Sequence, residues 1–112
     1  MGLFIINREL TTEEIDELAL TYSSYIKFVV DIKLHIAAAG TVMHYECEKF
    51  LLESGSKQSD LWGGGIDSKT KTIDYTSLIN IRGDSNKSME VLDLNIRAEI
   101  DIIEHVTKLL RG

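Results

Sequence analysis

The residues best suited to chemistry are two histidines and the carboxylates near them. His35 and His44 flank the pair Ala39-Gly40, with Asp31 and Lys33 before the first and Glu46 and Glu48 after the second. A hairpin turning at 39 and 40 would set His35 opposite His44, Lys33 opposite Glu46 and Asp31 opposite Glu48 on one sheet face. Two imidazoles with the Glu46 carboxylate are ligand types that zinc or another divalent metal uses. Asp31 and Glu48, held close, would raise a carboxylate pKa, which acid–base catalysis can exploit. The same pattern also describes a solvated outer face.

A second group lies further on. Asp60-Leu61-Trp62-Gly63-Gly64-Gly65 combines an aromatic plane with backbone amides that could face an anion. Lys57, Asn80 and Arg82 could add donors, making a small-ligand pocket. In the competing reading Trp62 plugs the end of the core while the glycines turn the chain. Other chemistries find little support. No Gly-Lys-Ser/Thr follows the glycines, no dinucleotide fingerprint occurs, and there is no Gly-x-Ser-x-Gly elbow. Cys47, the single cysteine, allows no intramolecular disulfide and no multi-cysteine metal site, and reads as a small buried hydrophobe. No cofactor is specified.

The elements that must position these residues follow from periodicity. Leu3 to Ile6 is a short apolar run that reads as a strand. Thr11-x-x-Glu14 is a capping box, opening a helix whose Ile15, Leu18, Ala19 and Tyr22 form one stripe. Ile26, Phe28, Val30, Ile32, Leu34 and Ile36 alternate with mostly polar residues, which predicts a long strand. Met43, Tyr45 and Cys47 continue that alternation past Gly40. In the hairpin register Ile36, Leu34 and Ile32 then face them, apolar against apolar. A helix over about 42–54 competes with this second arm, because Met43, Cys47, Phe50 and Leu51 also fit helical spacing and Gly55 could end it.

Residues 54–71 read as a long surface loop, with one helical turn near Ser59-Asp60-Leu61-Trp62. Ile73, Tyr75, Ile79 and Ile81 predict another strand, ended by Gly83-Asp84-Ser85-Asn86, and residues 88–91 a short one. Asp93 is placed to cap a final helix whose Ile96, Ile100, Ile103, Val106, Thr107 and Leu110 share a face, with Glu104 and Lys108 paired outside it.

The fold expected is α+β in the order β-α-β-β-β-α, one domain over residues 1–112. Two helices would pack on one face of a mainly antiparallel four-stranded sheet. At 112 residues, 44% hydrophobic and 27% charged, the chain suits one core that buries roughly two-thirds of the surface of the unfolded chain. No apolar run approaches the roughly 20 residues of a membrane helix, and nothing resembles a signal peptide, so a cytoplasmic protein is expected. The excess of 18 Asp and Glu over 12 Lys and Arg, net charge −6, argues against a nucleic-acid partner. Val29 and Leu78, apolar on otherwise polar faces, would mark a homodimer contact or stand as scattered surface hydrophobes.

Ser56-Lys57-Gln58-Ser59-Asp60-Leu61-Trp62-Gly63-Gly64, Asp74-Tyr75-Thr76-Ser77-Leu78-Ile79-Asn80-Ile81-Arg82 and Ser88-Met89-Glu90-Val91 resemble the motifs of an uncharacterised family of small prokaryotic proteins, a domain of unknown function. The likeness runs through most of the chain. The family usually carries proline after the arginine matching Arg82, where this chain has Gly83. The resemblance implies kinship and assigns no catalytic residue. Two function classes therefore stand: a small binding or interaction module for a small ligand or protein, without catalytic activity, or a small metal-dependent or acid–base enzyme using His35, His44 and nearby carboxylates.

Overall fold

The computed structural model describes residues 4–6, 11–21, 25–39, 43–67, 69–70 and 72–107. In chain order these form β1 (Phe4–Ile6), α1 (Thr12–Thr21), β2 (Tyr25–Asp31), β3 (Ile36–Ala39), α2 (His44–Glu53), β4 (Leu61–Asp67), β5 (Thr72–Asp74) and α3 (Leu94–Thr107). Short 3-10 turns occupy Gln58–Asp60 and Leu78–Asn80. The strands make one antiparallel sheet in the order β1-β3-β2-β4-β5. The α+β class and the antiparallel sheet are as expected; the sheet has five strands, and a third helix joins the expected two.

That helix is the main correction. Residues 44–53 are helical, so the hairpin turning at Ala39-Gly40 does not exist; Gly40 itself lies outside the described residues. The hairpin in its place is β2–β3, turning over residues 32–35, with Asp31 opposite Ile36 and Phe28 opposite Ala39. The Asp31 side chain makes this turn. Its Oδ1 accepts the amides of Lys33 and Leu34, both at 2.9 Å, and its carbonyl accepts the His35 amide. An aspartate that satisfies the amides two and three residues on offers the backbone an alternative to the ladder. His35 completes the reversal at φ 57, in the left-handed region.

Helices cover both faces of the sheet. Ile100 and Ile103 of α3 pack with Phe28, Val30 and Ile66 on one side, while Cys47 and Leu51 of α2 pack with Val29, Ala38 and Leu61 on the other. Val29 is fully buried under α2, which removes it as a surface contact, whereas Leu78 is 67% exposed. Cys47 is buried as expected.

Both helix starts read from the sequence are present. Glu14 N–H donates to Thr11 Oγ1 at 3.2 Å and Thr11 N–H to Glu14 Oε1 at 2.9 Å, a reciprocal capping box. Asp93 Oδ1 accepts the Asn95 amide at 2.8 Å. The side chains of the Ile15, Leu18 and Ala19 stripe, together with Tyr22, Lys108 and Leu110, lie outside the described residues.

Residues 61–67, expected within a loop, are an interior strand between β2 and β5. Gly63, Gly64 and Gly65 belong there because neighbours occupy the space their side chains would fill. A Cβ on Gly64 would strike the Phe28 ring and the Asp74 carbonyl, one on Gly65 the Tyr25 phenol, and one on Gly63 the Ser77 side chain. Atoms of adjacent segments fill the space of the missing side chains.

Candidate functional site

The paired-histidine site is not formed, because its hairpin is absent. His35 in the β2–β3 turn contacts Glu99 of α3 at 3.0 Å, while His44 at the start of α2 is bonded through Nε2 to the Gly64 carbonyl at 2.6 Å. Glu46 accepts the Met43 amide at 3.0 Å and so serves the start of α2. No group of three or more His, Cys, Asp or Glu side chains is placed to hold a metal among the described residues. Burial pushes the His44 pKa below its ordinary value, and Lys27 adds to that, against the opposing effects of the Gly64 bond and Asp74. Asp31, buried, is committed to its turn and to the Ser56 hydroxyl, which donates to Oδ2 at 2.7 Å.

The seven residues read as a ligand pocket separate into three groups. Gly63, Gly64 and Asn80 are structural. β5 pairs with β4 only at residues 65–67, and beyond it the Asn80 side chain takes the place of a neighbouring strand. Its Oδ1 accepts the Gly63 N–H at 2.8 Å, and its Nδ2 lies within 3.1 Å of the carbonyls of Gly63, Tyr75 and Met89. The Gly63 amide is thus unavailable to an anion, and Gly64 sits in the β2–β4 pairing. Lys57 and Asp60 border a separate small cavity with Asp31 and Ser56.

Trp62 and Arg82 form the third group, and the fold does bring them together. The Arg82 guanidinium lies 3.7 Å from the centroid of the Trp62 ring, close enough for a cation–π interaction. Trp62 is held by β4 and is 5% exposed. Arg82 follows the Leu78–Asn80 turn, and its amide donates to the Asn86 carbonyl at 2.8 Å. Gly83 has φ 50, in the left-handed region, which proline cannot adopt.

Asn86 holds this irregular segment from the inside. Buried, its Nδ2 lies 2.9 Å from each of the carbonyls of Asn80, Ser88 and Glu90, with two N–H donors shared among them, and its Oδ1 accepts the Leu92 amide at 3.1 Å. Sequence reasoning missed Asn86; its only local signal was its place in a turn-forming cluster.

Trp62 and Arg82 share a cleft of about 450 Å³ with Gln58, Ser59, Ser85, Asn86, Asp93 and Ile96. Arg82 Nη1 donates to the Ser59 carbonyl at 3.0 Å. Its Nε and Nη2, and Trp62 Nε1, are buried without a hydrogen-bond partner among the described residues. Burial pushes the Arg82 pKa below its ordinary value, opposed by the negative charges of Glu48 and Asp60. On the opposite side, His44, Lys27, Ser77, Met43, Tyr45, Leu78 and Met89 line a more apolar cavity of about 280 Å³.

The chain belongs to the family described as "Protein of unknown function (DUF5674)", whose model matches residues 4–108. No curated protein and no solved structure matches it significantly. No helix among the described residues is long and apolar enough to cross a membrane.

Proposed function

We propose that this protein is a small cytoplasmic binding module, without catalytic activity of its own, that takes a small ligand in the cleft beside Trp62 and Arg82. One observation carries the reading: an aromatic plane and a half-buried cation, stacked on each other, line a cleft of about 450 Å³ together with the polar residues Gln58, Ser59, Ser85 and Asp93. Ligand sites typically combine apolar walls with a few placed polar groups. A saturation-transfer NMR screen of polar metabolites against the intact chain tests it, with Ser85→Tyr as a variant that fills the cleft. Compounds bound by the parent and lost in the variant support the reading. Absence of binding at millimolar concentration, or binding indifferent to Ser85→Tyr, refutes it.

A second reading, self-association, is favoured by the cavity on the other face. Met43, Tyr45, Leu78 and Met89 around it are 43%, 59%, 67% and 42% exposed, an apolar grouping of the kind that marks interfaces. Sedimentation at micromolar concentration should give a dimer that Leu78→Glu dissociates; monomer throughout would exclude this reading.

A further inference from the structure

We infer that the cavity beside His44 is a second ligand site, taking a small aromatic molecule that carries one uncharged hydroxyl or N–H donor, which bonds to Nδ1 of His44. This site shares no residue with the Trp62–Arg82 cleft and does not depend on the reading of that cleft.

The His44 ring is fixed along one edge. Its Nε2 lies 2.6 Å from the Gly64 carbonyl, and its Cδ2 lies 3.2 Å from where a Cβ on Gly63 would stand. Nδ1 is the ring atom opposite the Nε2–Cδ2 edge, so it faces away from β4. The cavity lies on that side, for its lining comes from β2, residues 43–45, residues 76–79 and Met89, and includes no residue of β4. A carbonyl oxygen only accepts, so Nε2 carries the ring hydrogen and Nδ1 of the neutral ring is left as an acceptor. Burial favours that neutral form. Nδ1 has no hydrogen-bond partner among the described residues, and it is not one of the enclosed polar atoms. A ligand that donates one hydrogen bond matches it.

The walls set the rest of the class. Met43, Leu78, Ile79 and Met89 give the cavity an apolar lining, and its volume is about 280 Å³. An apolar cavity of about 150 Å³ holds one benzene, so a substituted ring fits here. Thioether sulfurs make favourable contacts with aromatic edges, and methionine side chains adapt to the shape presented to them. Charged ligands do not suit it. Lys27 in the lining opposes a cation, and an ionised carboxylate has no proton to give Nδ1.

Intact protein with isotope-labelled histidine is titrated with para-cresol and with its methyl ether, which keeps the ring but lacks the donor. The His44 ring nitrogens and the Met43 and Met89 methyl groups are followed by NMR. The expected result is saturable binding of para-cresol with a shift at Nδ1, and binding of the ether weaker by roughly tenfold or more, because the acceptor is left unpaired. Met89→Ala, at a residue 42% exposed, removes part of the wall and should weaken para-cresol several-fold. Ser85→Tyr, which fills the other cleft, should leave para-cresol binding unchanged. His44→Gln keeps a donor for the Gly64 carbonyl, removes the Nδ1 acceptor and should erase the preference for para-cresol over the ether. Because His44→Gln could disturb folding, the two probes on the parent protein, together with Met89→Ala, are the deciding measurement. Lack of saturable binding at millimolar concentration, equal affinity for the two probes, an unmoved Nδ1, unweakened binding by Met89→Ala, or loss of binding in Ser85→Tyr would overturn the inference. So would sedimentation as a dimer in which Met43 and Met89 do not respond to para-cresol, since a second copy would then cover this face.

Discussion

Asn80 grips the main chain of Gly63 with both ends of its amide, accepting the Gly63 N–H at 2.8 Å and donating to the Gly63 carbonyl at 3.0 Å. A side chain here does what a neighbouring strand does elsewhere in a sheet, and it does so where β4 has run past the end of β5. The same amide ties the carbonyls of Tyr75 and Met89 to that edge.

Asn80→Ala should therefore cost about 3 kcal/mol or more, because several buried backbone groups lose their partner at once. Asn80→Asp, nearly identical in shape, should be at least as damaging, since its carboxylate cannot donate to the three carbonyls. Urea denaturation measures both. A loss below about 1 kcal/mol in either would contradict this account of the β4 edge.

The glycines of β4 should differ in their tolerance of a methyl group. At Gly64 a Cβ meets the Asp74 carbonyl, which belongs to the backbone of β5 and cannot turn aside. At Gly65 the nearest atoms it meets are those of the Tyr25 side chain, which is 40% exposed and can swing out, giving up its 2.6 Å bond to Asp74. Gly64→Ala should cost about 2–3 kcal/mol as an overpacked site and Gly65→Ala about 1 kcal/mol. Equal melting temperatures for the two variants would be inconsistent with this difference.

Asp31 offers a second graded pair. Asp31→Asn keeps an Oδ1 acceptor for the Lys33 and Leu34 amides, and the Ser56 hydroxyl can rotate to accept from the new Nδ2. It should cost about 1 kcal/mol, whereas Asp31→Ala, which strands three donors, should cost about 3 kcal/mol. Comparable losses by chemical denaturation would indicate that the negative charge matters more than the turn.

His44 makes stability depend on pH in a predictable direction. Its pKa in the folded chain lies below the ordinary 6.5 of the unfolded chain, chiefly through burial, so the unfolded state binds the proton more readily. Its contribution is present above pH 6.5 and is lost as the pH falls through the folded value. An NMR titration of the His44 ring should show a midpoint below 6.5, and His44→Gln should flatten the decline in stability on the acid side. A midpoint above 6.5 would reverse the sign and refute the assignment.

Much of this fold was legible where a local rule acts alone. The Thr11–Glu14 box and the Asp93 cap are short-range patterns and stand as read. Ile100 and Ile103 repeat at helical spacing and occupy the core. Misreadings arose where a local pattern was compatible with two outcomes. The alternation from Ile26 runs unbroken through Ile36, yet Asp31 reverses the chain inside it, because its side chain supplies hydrogen bonds that the ladder would otherwise provide. The segment around Met43, Cys47, Phe50 and Leu51 suits both periods, and packing against Val29 and Ala38 accompanies the helical one.

Gly63-Gly64-Gly65 has the composition of a loop, and only the bulk of Phe28 and Tyr25, remote in sequence, shows why a strand needs it. For the candidate site, residue type placed Trp62 and Arg82 in a group of seven with Lys57, Asp60, Gly63, Gly64 and Asn80. Nothing local distinguished them from Asn80, whose amide is consumed by the backbone of Gly63, Tyr75 and Met89.

The central pairing of the sheet, β2 with β4, joins segments separated by β3 and α2. That separation gives the two pairings of β2 different loop-closure costs. The β2–β3 hairpin closes over a short loop and can form early, but β4 can dock only after a much longer loop has been closed, the slower kind of step. Trp62 travels with β4, and Arg82 follows it in the chain. The cleft between them therefore depends on that long-range closure, and a chain with its hairpin and α2 in place but without the β2–β4 pairing would lack the cleft altogether.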